Sequence, residues 1–427
     1  MVTGAGGRDN ETDAGDHRSG GTSDHARDRA LPIMGPAAMH GDAAAGVRTT
    51  SALHLAITDT DAGFDSLEPE WRTLLTRAER PSVFLDWDWH RLWWQVYARR
   101  RDRLHIVTLR EHGRLVGLLP LYCRGGPGWR SASLRFIGTG EARHEEVGTE
   151  YADLLLCADA HEDRQRERAA AVVAHLASFA SWRSVELRCL LDDARILRGV
   201  HASGVSSVDA SAGLRYRVRL ADGDEGHRRR LGTQRVRRIA RARRAVERDG
   251  GLHGVSAGID TLERALSQLH RLARVRRIGR GQRSTSHSAR FRRFHRLLCE
   301  RWVASGQARL VGYRIGDVDV ASVYAFRCRD TLHYYQSGFT DQGANRWMPL
   351  TLAHLAEMQI AREQGLSFYD LMRGEPPCYK DDFGCETQPM RTLHVFSSPA
   401  RCDRFLRARA LRRRLVAGLA ALNIRRN

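Results

Sequence analysis

The sequence predicts an α/β protein of two tandem halves, each a mixed, mostly antiparallel sheet flanked by helices. Three observations carry this. Runs of alternating hydrophobicity joined by tight turns occur twice, at 104–122 and 308–338. In both places helix-like segments precede the run, and a helix and further strand follow it. The 427 residues, 42% hydrophobic and 28% charged, suit two globular domains.

The elements follow in order. Residues 1–50 are rich in Gly, Asp, Arg, Ser and Ala and hold too little apolar surface to fold, which predicts a disordered tail. Order begins at the strand-like 53–57, and 67–78 reads as a helix carrying Trp71, Leu74 and Leu75. The aromatic run from Phe84 to Trp94 suits a helix packed on a sheet. Strands at 104–110 and 114–122 meet at His112-Gly113, a hairpin signal. Strands at 133–137 and 151–157, a helix at 164–180 and a strand at 184–188 complete a first half at 51–225, with 216–227 as the connection.

The second half spans 226–400. An Arg-rich helix at 228–249 stops at Gly250-Gly251, and amphipathic helices follow at 262–277 and 289–304. Three strands, 308–315, 318–328 and 332–338, form a meander. Pro349 opens a helix that Gly365 closes, and strands at 367–371 and 392–396 follow. Residues 401–427 form a basic tail in which Ala408, Leu411, Leu415, Leu419 and Leu422 share one helical face. That arrangement fits a helix lying on an anionic membrane or one packed on its own domain.

Charge narrows the function. The formal charge is +19, but ten arginines of 228–250 face only Glu247 and Asp249, and nine of 401–427 face only Asp403. The basicity is local, not a property of the whole surface. Of the 69 basic side chains, Lys380 is the one lysine. An ammonium is compact and easily deprotonated where a guanidinium is neither, so a position needing that chemistry resists replacement by Arg. The eight cysteines form no CxxC pair, which predicts reduced thiols. Cys378, Cys385 and His394 are too widely spaced for an ordinary zinc site, so no metal is expected. No apolar run reaches membrane-spanning length and no signal-peptide core follows Met1, which predicts a cytoplasmic protein. There is no GxSxG elbow or HExxH, and Gly138-Thr-Gly140 lacks the rest of a dinucleotide fingerprint.

Over residues 53–397 the chain resembles the CelD/BcsL-like acetyltransferases, relatives of the FemAB-type tandem GNAT proteins. The resemblance rests on Phe84…Trp89, Gly117-Leu-Leu-Pro120, Leu134-Arg-Phe-Ile-Gly138 and Tyr151-Ala-Asp153 in the first half. In the second it rests on Leu269-His270…Arg274, Tyr334-Tyr335…Gly338-Phe339 and Gly365-Leu-Ser-Phe-Tyr-Asp370-Leu-Met-Arg373-Gly374…Tyr379-Lys380…Phe383-Gly384. It implies two GNAT-like domains and transfer of an acyl group from acetyl-CoA or another acyl-CoA to an amine or hydroxyl of a cell-envelope or exopolysaccharide precursor, such as a sugar or lipid-linked acceptor. A FemAB-like aminoacyltransferase using aminoacyl-tRNA, its phosphates held by 228–249, is the second reading; a non-catalytic binding protein with a degenerate site is the third.

Acyl transfer assigns candidate roles. Gly343, Asn345 and Arg346 lie at the turn leading into the helix at Pro349, whose N–H groups could hold the donor's diphosphate, and backbone groups at the end of the strand closing on Gly338 could meet the negative charge that develops on the thioester carbonyl. The helix opens Arg346-Trp347-Met348, without the glycine expected at such a turn. Asp370, at a strand end before a glycine loop, is a candidate base or relay, or a turn cap or partner of Arg274. Tyr335 and Tyr379 are candidate proton donors to the thiolate, or packing residues. Lys380 and Arg373 would meet an anionic group, and Asp153 and Arg274 complete the candidate substrate contacts.

Overall fold

The strands of both halves join edge to edge. The structure is a computed structural model, and it describes residues 53–125, 132–178, 182–278 and 285–424. The tail expected to be disordered lies outside them. In chain order the strands are β1 (His54–Thr58), β2 (Arg103–Glu111), β3 (Arg114–Arg124), β4 (Ser133–Phe136), β5 (Leu155–Leu156), β6 (Ser184–Leu191), β7 (Ser207–Arg219), β8 (Leu252–Ser256), β9 (Ala308–Ile315), β10 (Val318–Cys328), β11 (Thr331–Phe339), β12 (Phe368–Gly374) and β13 (Glu386–Phe396). They form one 13-stranded sheet in the order β1-β2-β3-β4-β6-β13-β7-β12-β11-β10-β9-β8, with β5 against β3.

From the antiparallel β13–β7 contact outward, the two sides repeat the same pattern. An antiparallel neighbour comes first, β6 or β12. A parallel pair follows, β6 with β4 or β12 with β11. An antiparallel meander then runs to the edge. The expected α/β class with helix-flanked mixed sheets is the class observed. The strand nearest each centre comes from the far part of the chain: β13, the last strand, lies beside β6, and β7, which precedes the second meander, lies beside β12.

Helices cover both faces. Helix Trp87–Tyr97 starts where Asp86 Oδ1 accepts from the Asp88 N–H (2.8 Å). It packs against helix Ala289–Trp302 of the other half: Trp89 stands edge-on to Phe294 (5.0 Å between centroids) and stacks on Trp302 (6.3 Å). Arg301 and the Trp302 Nε1–H both donate to the Asp88 carboxylate. One buried aromatic cluster, with Phe84, Trp89, Phe294, Trp302 and Phe326, therefore runs through both halves.

Three local readings need correction. The predicted strand 151–157 is reduced to Leu155–Leu156, because Tyr151 sits at φ +57 and turns the chain before any ladder forms. The segment 216–227, read as a connection, is the end of β7 and the start of helix Gly223–Leu231. The helix expected over 228–249 breaks at Gly232, whose φ of +74 no helix accommodates, and resumes as Thr233–Arg248. Its Ile239, Ala242, Ala245 and Val246 are buried, so arginines do not occupy every face.

Candidate functional site

The parallel pairing of β11 with β12 is short. It covers Thr331–Phe368, Leu332–Tyr369 and His333–Asp370 and then stops. Beyond this point β11 continues against β10, while β12 bulges against β7 between Asp370 and Met372, with Met372 at φ +61. The two strands thus part just past Asp370, two strands from the central β13–β7 contact of the sheet.

Asp370 lies at that point with no exposed side-chain surface. Arg215 of β7 holds it through Nε (2.7 Å) and an Nη (2.6 Å). The Tyr151 hydroxyl donates to Oδ1 (3.2 Å), as does the Met372 N–H (2.7 Å). His333 Nδ1 is 3.4 Å from Oδ2. Burial alone would raise this carboxyl; Arg215 and the donors around it outweigh burial and hold it well below the usual carboxylate range. The Arg215 guanidinium also lies 4.8 Å from the Tyr151 ring centre.

A second polar group adjoins it. Glu150 Oε2 accepts from the Arg373 N–H (2.8 Å), and its Oε1 is 3.7 Å from the Arg373 guanidinium. The Lys380 ammonium donates to the carbonyl of the same Arg373. Lys380 is 8% exposed. Burial pushes its pKa down, and the charges of Glu150 and Asp370 oppose that. Burial pushes Glu150 up, against Lys380 and Arg373. Tyr379 is 37% exposed, with the rings of His354 (6.4 Å) and Phe383 (6.3 Å) beside it.

On the other side of Asp370 a cavity of about 420 Å³ opens between the halves. Tyr151, Arg215, Arg217, His333, Phe368 and Asp153 are among its lining residues. Its size and mixture of aromatic and hydrogen-bonding groups would accept a small polar molecule.

The structure brings Asp370, Arg373, Lys380 and Tyr379 into one region and distributes the other candidates. Asp153 lines the cavity, but its carboxylate accepts from the N–H groups of Leu154 (2.7 Å), Arg195 (2.7 Å) and Ile196 (3.0 Å), so it caps helix Arg195–Ser203. Burial pushes its pKa up to about 6 despite those bonds. Tyr335 is packed among aromatic rings, with its hydroxyl donating to Val147 O and lying 2.9 Å from His295 Nε2. Arg274 is exposed on helix Leu262–Ile278, and the guanidinium on Asp370 is Arg215 instead. Gly338 faces that same helix so closely that a Cβ would meet Ala273 N at 2.4 Å. Gly343, at φ +66, lies under the Trp347 ring. Asn345 is exposed, and Arg346 pairs with Asp249 (2.6 Å). Helix Pro349–Glu363 begins after Met348 (φ +47) without a side-chain cap, leaving its first N–H groups unpaired by side chains.

Sequence reasoning missed Glu150, Arg215, Tyr151 and His333. Tyr151 stood in a quoted motif, and Glu150 is its neighbour. Arg215 is one arginine among many, and nothing local marks it. Among the described residues no group of three or more His, Cys, Asp or Glu could hold a metal ion, and no helix is long and apolar enough to cross a membrane.

Residues 233–381 match the Acetyltransferase (GNAT) domain family, so this stretch, which includes Asp370, Arg373 and Lys380, is a GNAT-type acyltransferase domain. No curated protein matches the sequence. The crystal structure of FemX superposes with a TM-score of 0.55 at 10% identity, covering 78% of this chain and 97% of that one, and shares the fold. A weaker likeness (TM-score 0.49, 12% identity, 82% and 97% covered) is to the C-terminal domain of a putative lysylphosphatidylglycerol synthetase from Agrobacterium fabrum. Another (TM-score 0.43, 14% identity, 81% and 99% covered) is to a tandem GNAT protein from the clavulanic acid biosynthesis pathway.

Proposed function

We propose that the chain moves an acyl group from an acyl-CoA thioester to an amine or hydroxyl, with the chemistry where β11 and β12 part. One observation carries the reading: the segment that matches a GNAT domain contains the buried Asp370 and Lys380, with the more exposed Arg373 between them, at that parting. The donor would lie along β11 beyond His333, where backbone groups facing β12 are no longer paired. Its diphosphate would meet the N–H groups that open helix Pro349–Glu363, where the helix dipole favours negative charge. An N–H of the free β11 edge would stabilise the oxyanion of the tetrahedral intermediate, and the Lys380 ammonium would add positive charge beside it. Tyr379, 37% exposed, would protonate the departing thiolate. The acceptor would approach from the Arg373–Lys380 side, where Glu150 and Arg373 keep exposed side-chain surface. We assign it to a cell-envelope or exopolysaccharide precursor, on the resemblance to the CelD/BcsL-like proteins. Work on such a precursor suits a cytoplasmic protein whose basic 401–427 segment touches the inner face of a membrane.

A second reading has its own support. Helix Thr233–Arg248 exposes Arg237, Arg238, Arg241, Arg243, Arg244 and Arg248, a surface that would hold a nucleic-acid backbone. The donor would then be an aminoacyl-tRNA, and binding would weaken steeply with salt.

Calorimetric titration of acetyl-CoA into the protein and its Lys380→Ala variant tests the first reading. The expected result is micromolar binding that weakens about tenfold or more in the variant, a difference of about 1.4 kcal/mol. No heat at millimolar acetyl-CoA, with saturable salt-sensitive binding of aminoacyl-tRNA, would replace it with the second.

A further inference from the structure

We propose that the first half supplies the reaction's proton acceptor: Glu150, hydrogen-bonded across the junction to the same Arg373 backbone that Lys380 bonds, takes the proton of the incoming nucleophile. This rests on the acyl-transfer reading and names the residue that activates the acceptor.

The geometry is set by backbone. Glu150 takes the N–H of Arg373 and Lys380 gives its proton to the carbonyl of Arg373, so the two side chains bracket one residue of β12 from opposite halves of the chain. The loop presenting Glu150 is fixed on both sides. Gly148 turns at φ +64 and Tyr151 at φ +57. The Tyr151 N–H bonds Cys189 O (3.0 Å), and its hydroxyl reaches Asp370. A carboxylate held this way loses little rotamer freedom when substrate arrives.

The neighbouring carboxylates are committed elsewhere. Asp370 is enclosed by Arg215, Tyr151 and Met372 and is fully buried. Asp153 is taken up by three N–H groups at a helix start. Glu146 is 41% exposed and pairs with Arg188. Glu150 accepts the Arg373 N–H and keeps other lone-pair positions, with 12% of its side chain exposed. The groups that face the pair are Asp370 and Arg373 of β12, Cys189 of β6, Cys378 before Lys380, Cys385 after it, His354 of helix Pro349–Glu363, and Tyr151 and Tyr335. Burial raises Glu150 and lowers Lys380, which narrows the gap between their proton affinities.

The step balances. The acceptor's O–H or N–H proton passes to a Glu150 oxygen as the acceptor's lone pair bonds the thioester carbonyl carbon. The intermediate collapses, the C–S bond breaks, and the sulfur leaves as thiolate. The thiolate takes a proton from the Glu150–Lys380 pair directly or through Tyr379. The products are the acylated acceptor and free CoA thiol, with nothing oxidised or reduced.

The sole lysine makes the pair measurable without any acceptor. Full-length protein carrying ¹³C-lysine has one lysine side-chain signal, that of Lys380. Its titration midpoint should lie below 10.5 and move further down in Glu150→Gln, since the carboxylate that favours the ammonium is gone. A midpoint unchanged by the substitution would overturn the pairing. In parallel, thiol release from acetyl-CoA would be followed across pH. Glu150→Gln should bind acetyl-CoA like the parent while release falls at least ~100-fold and the rising limb of its pH profile disappears. Glu150→Asp should restore part of the rate and the limb, which a purely structural role would not do. Unchanged release by Glu150→Gln, with the limb intact, would sink the assignment. Failure of the parent to bind acetyl-CoA would instead remove the acyl-transfer reading, and the lysine titration would still report whether the pair exists.

Discussion

Asp370 and its partners mark what a residue's own neighbourhood in sequence can and cannot tell. A carboxylate at a strand end before a glycine-containing loop drew notice to Asp370, and solitude among arginines drew notice to Lys380. Their surroundings were not legible, because they are assembled by the fold. Arg215 lies 155 residues before Asp370, Tyr151 lies 219 before it, and Glu150 lies 223 before Arg373. Replacing Asp370 by Asn tests the pairing. The substitution leaves the Arg215 guanidinium buried without its charge partner, which should cost about 3–5 kcal/mol in urea unfolding at neutral pH. The pH dependence has a definite sign. The native carboxyl is held low, so its contribution is complete above the unfolded value near ~3.9 and is lost as pH falls from there toward the native value. The gap between parent and variant should therefore close in acid below about pH 4. A gap that widened there would show that the carboxylate is not held by Arg215.

At the scale of elements, alternation served well where one face is buried and the other is not. The meander β9–β10–β11 was read to within a residue or so, with its turns at Gly316-Asp317 and Arg329-Asp330. β7 was lost in part because its partly buried run of Ser, Ala, Gly and Arg lacks the apolar alternation that marks a strand. Arg217 supplies cover that an aliphatic residue would otherwise give, with its guanidinium 3.9 Å from the Phe368 ring centre. Gly338 makes a sharper element-level case. Its place at a strand end suggests backbone donors for the thioester carbonyl, and the structure shows the backbone of helix Leu262–Ile278 pressed against it. Gly338→Ala should push that helix from β11 and cost about 1–3 kcal/mol, an overpacking penalty. Because the same strand edge would carry the thioester, acetyl-CoA binding should weaken with it. A thermal melt and a binding titration on one preparation would check both, and full stability in the alanine variant would contradict the close approach.

For the whole molecule, two features act beyond any one half. Deep burial of neutral imidazoles makes the fold sensitive to acid. His90, whose Nδ1–H donates to Ile137 O (2.8 Å), and His354, beside the Tyr369 hydroxyl (2.8 Å), are both pushed down to about 3 by burial. The unfolded chain protonates them near ~6.5 and the native chain does not, so each should cost about 1.4 kcal/mol of stability per pH unit below that value. The other feature is β13. It pairs with β6 on one side and β7 on the other, and its neighbours belong to opposite ends of the repeat. Two tandem halves written one after the other suggest two units that unfold separately, but a shared central strand and an aromatic cluster running through both argue for one cooperative transition. Tryptophan fluorescence and far-ultraviolet circular dichroism should give the same urea midpoint. Ending the chain before Glu386 removes β13, exposing β6 and β7 as facing, unpaired edges at the centre of the sheet. That truncated chain should aggregate or fail to unfold cooperatively, although all of the GNAT-matched segment and both meanders are still present. A soluble, cooperatively folded truncation would show that the halves stand alone. It would also remove the reason for placing Glu150 and Lys380 in one site, because their meeting depends on the two halves being held edge to edge.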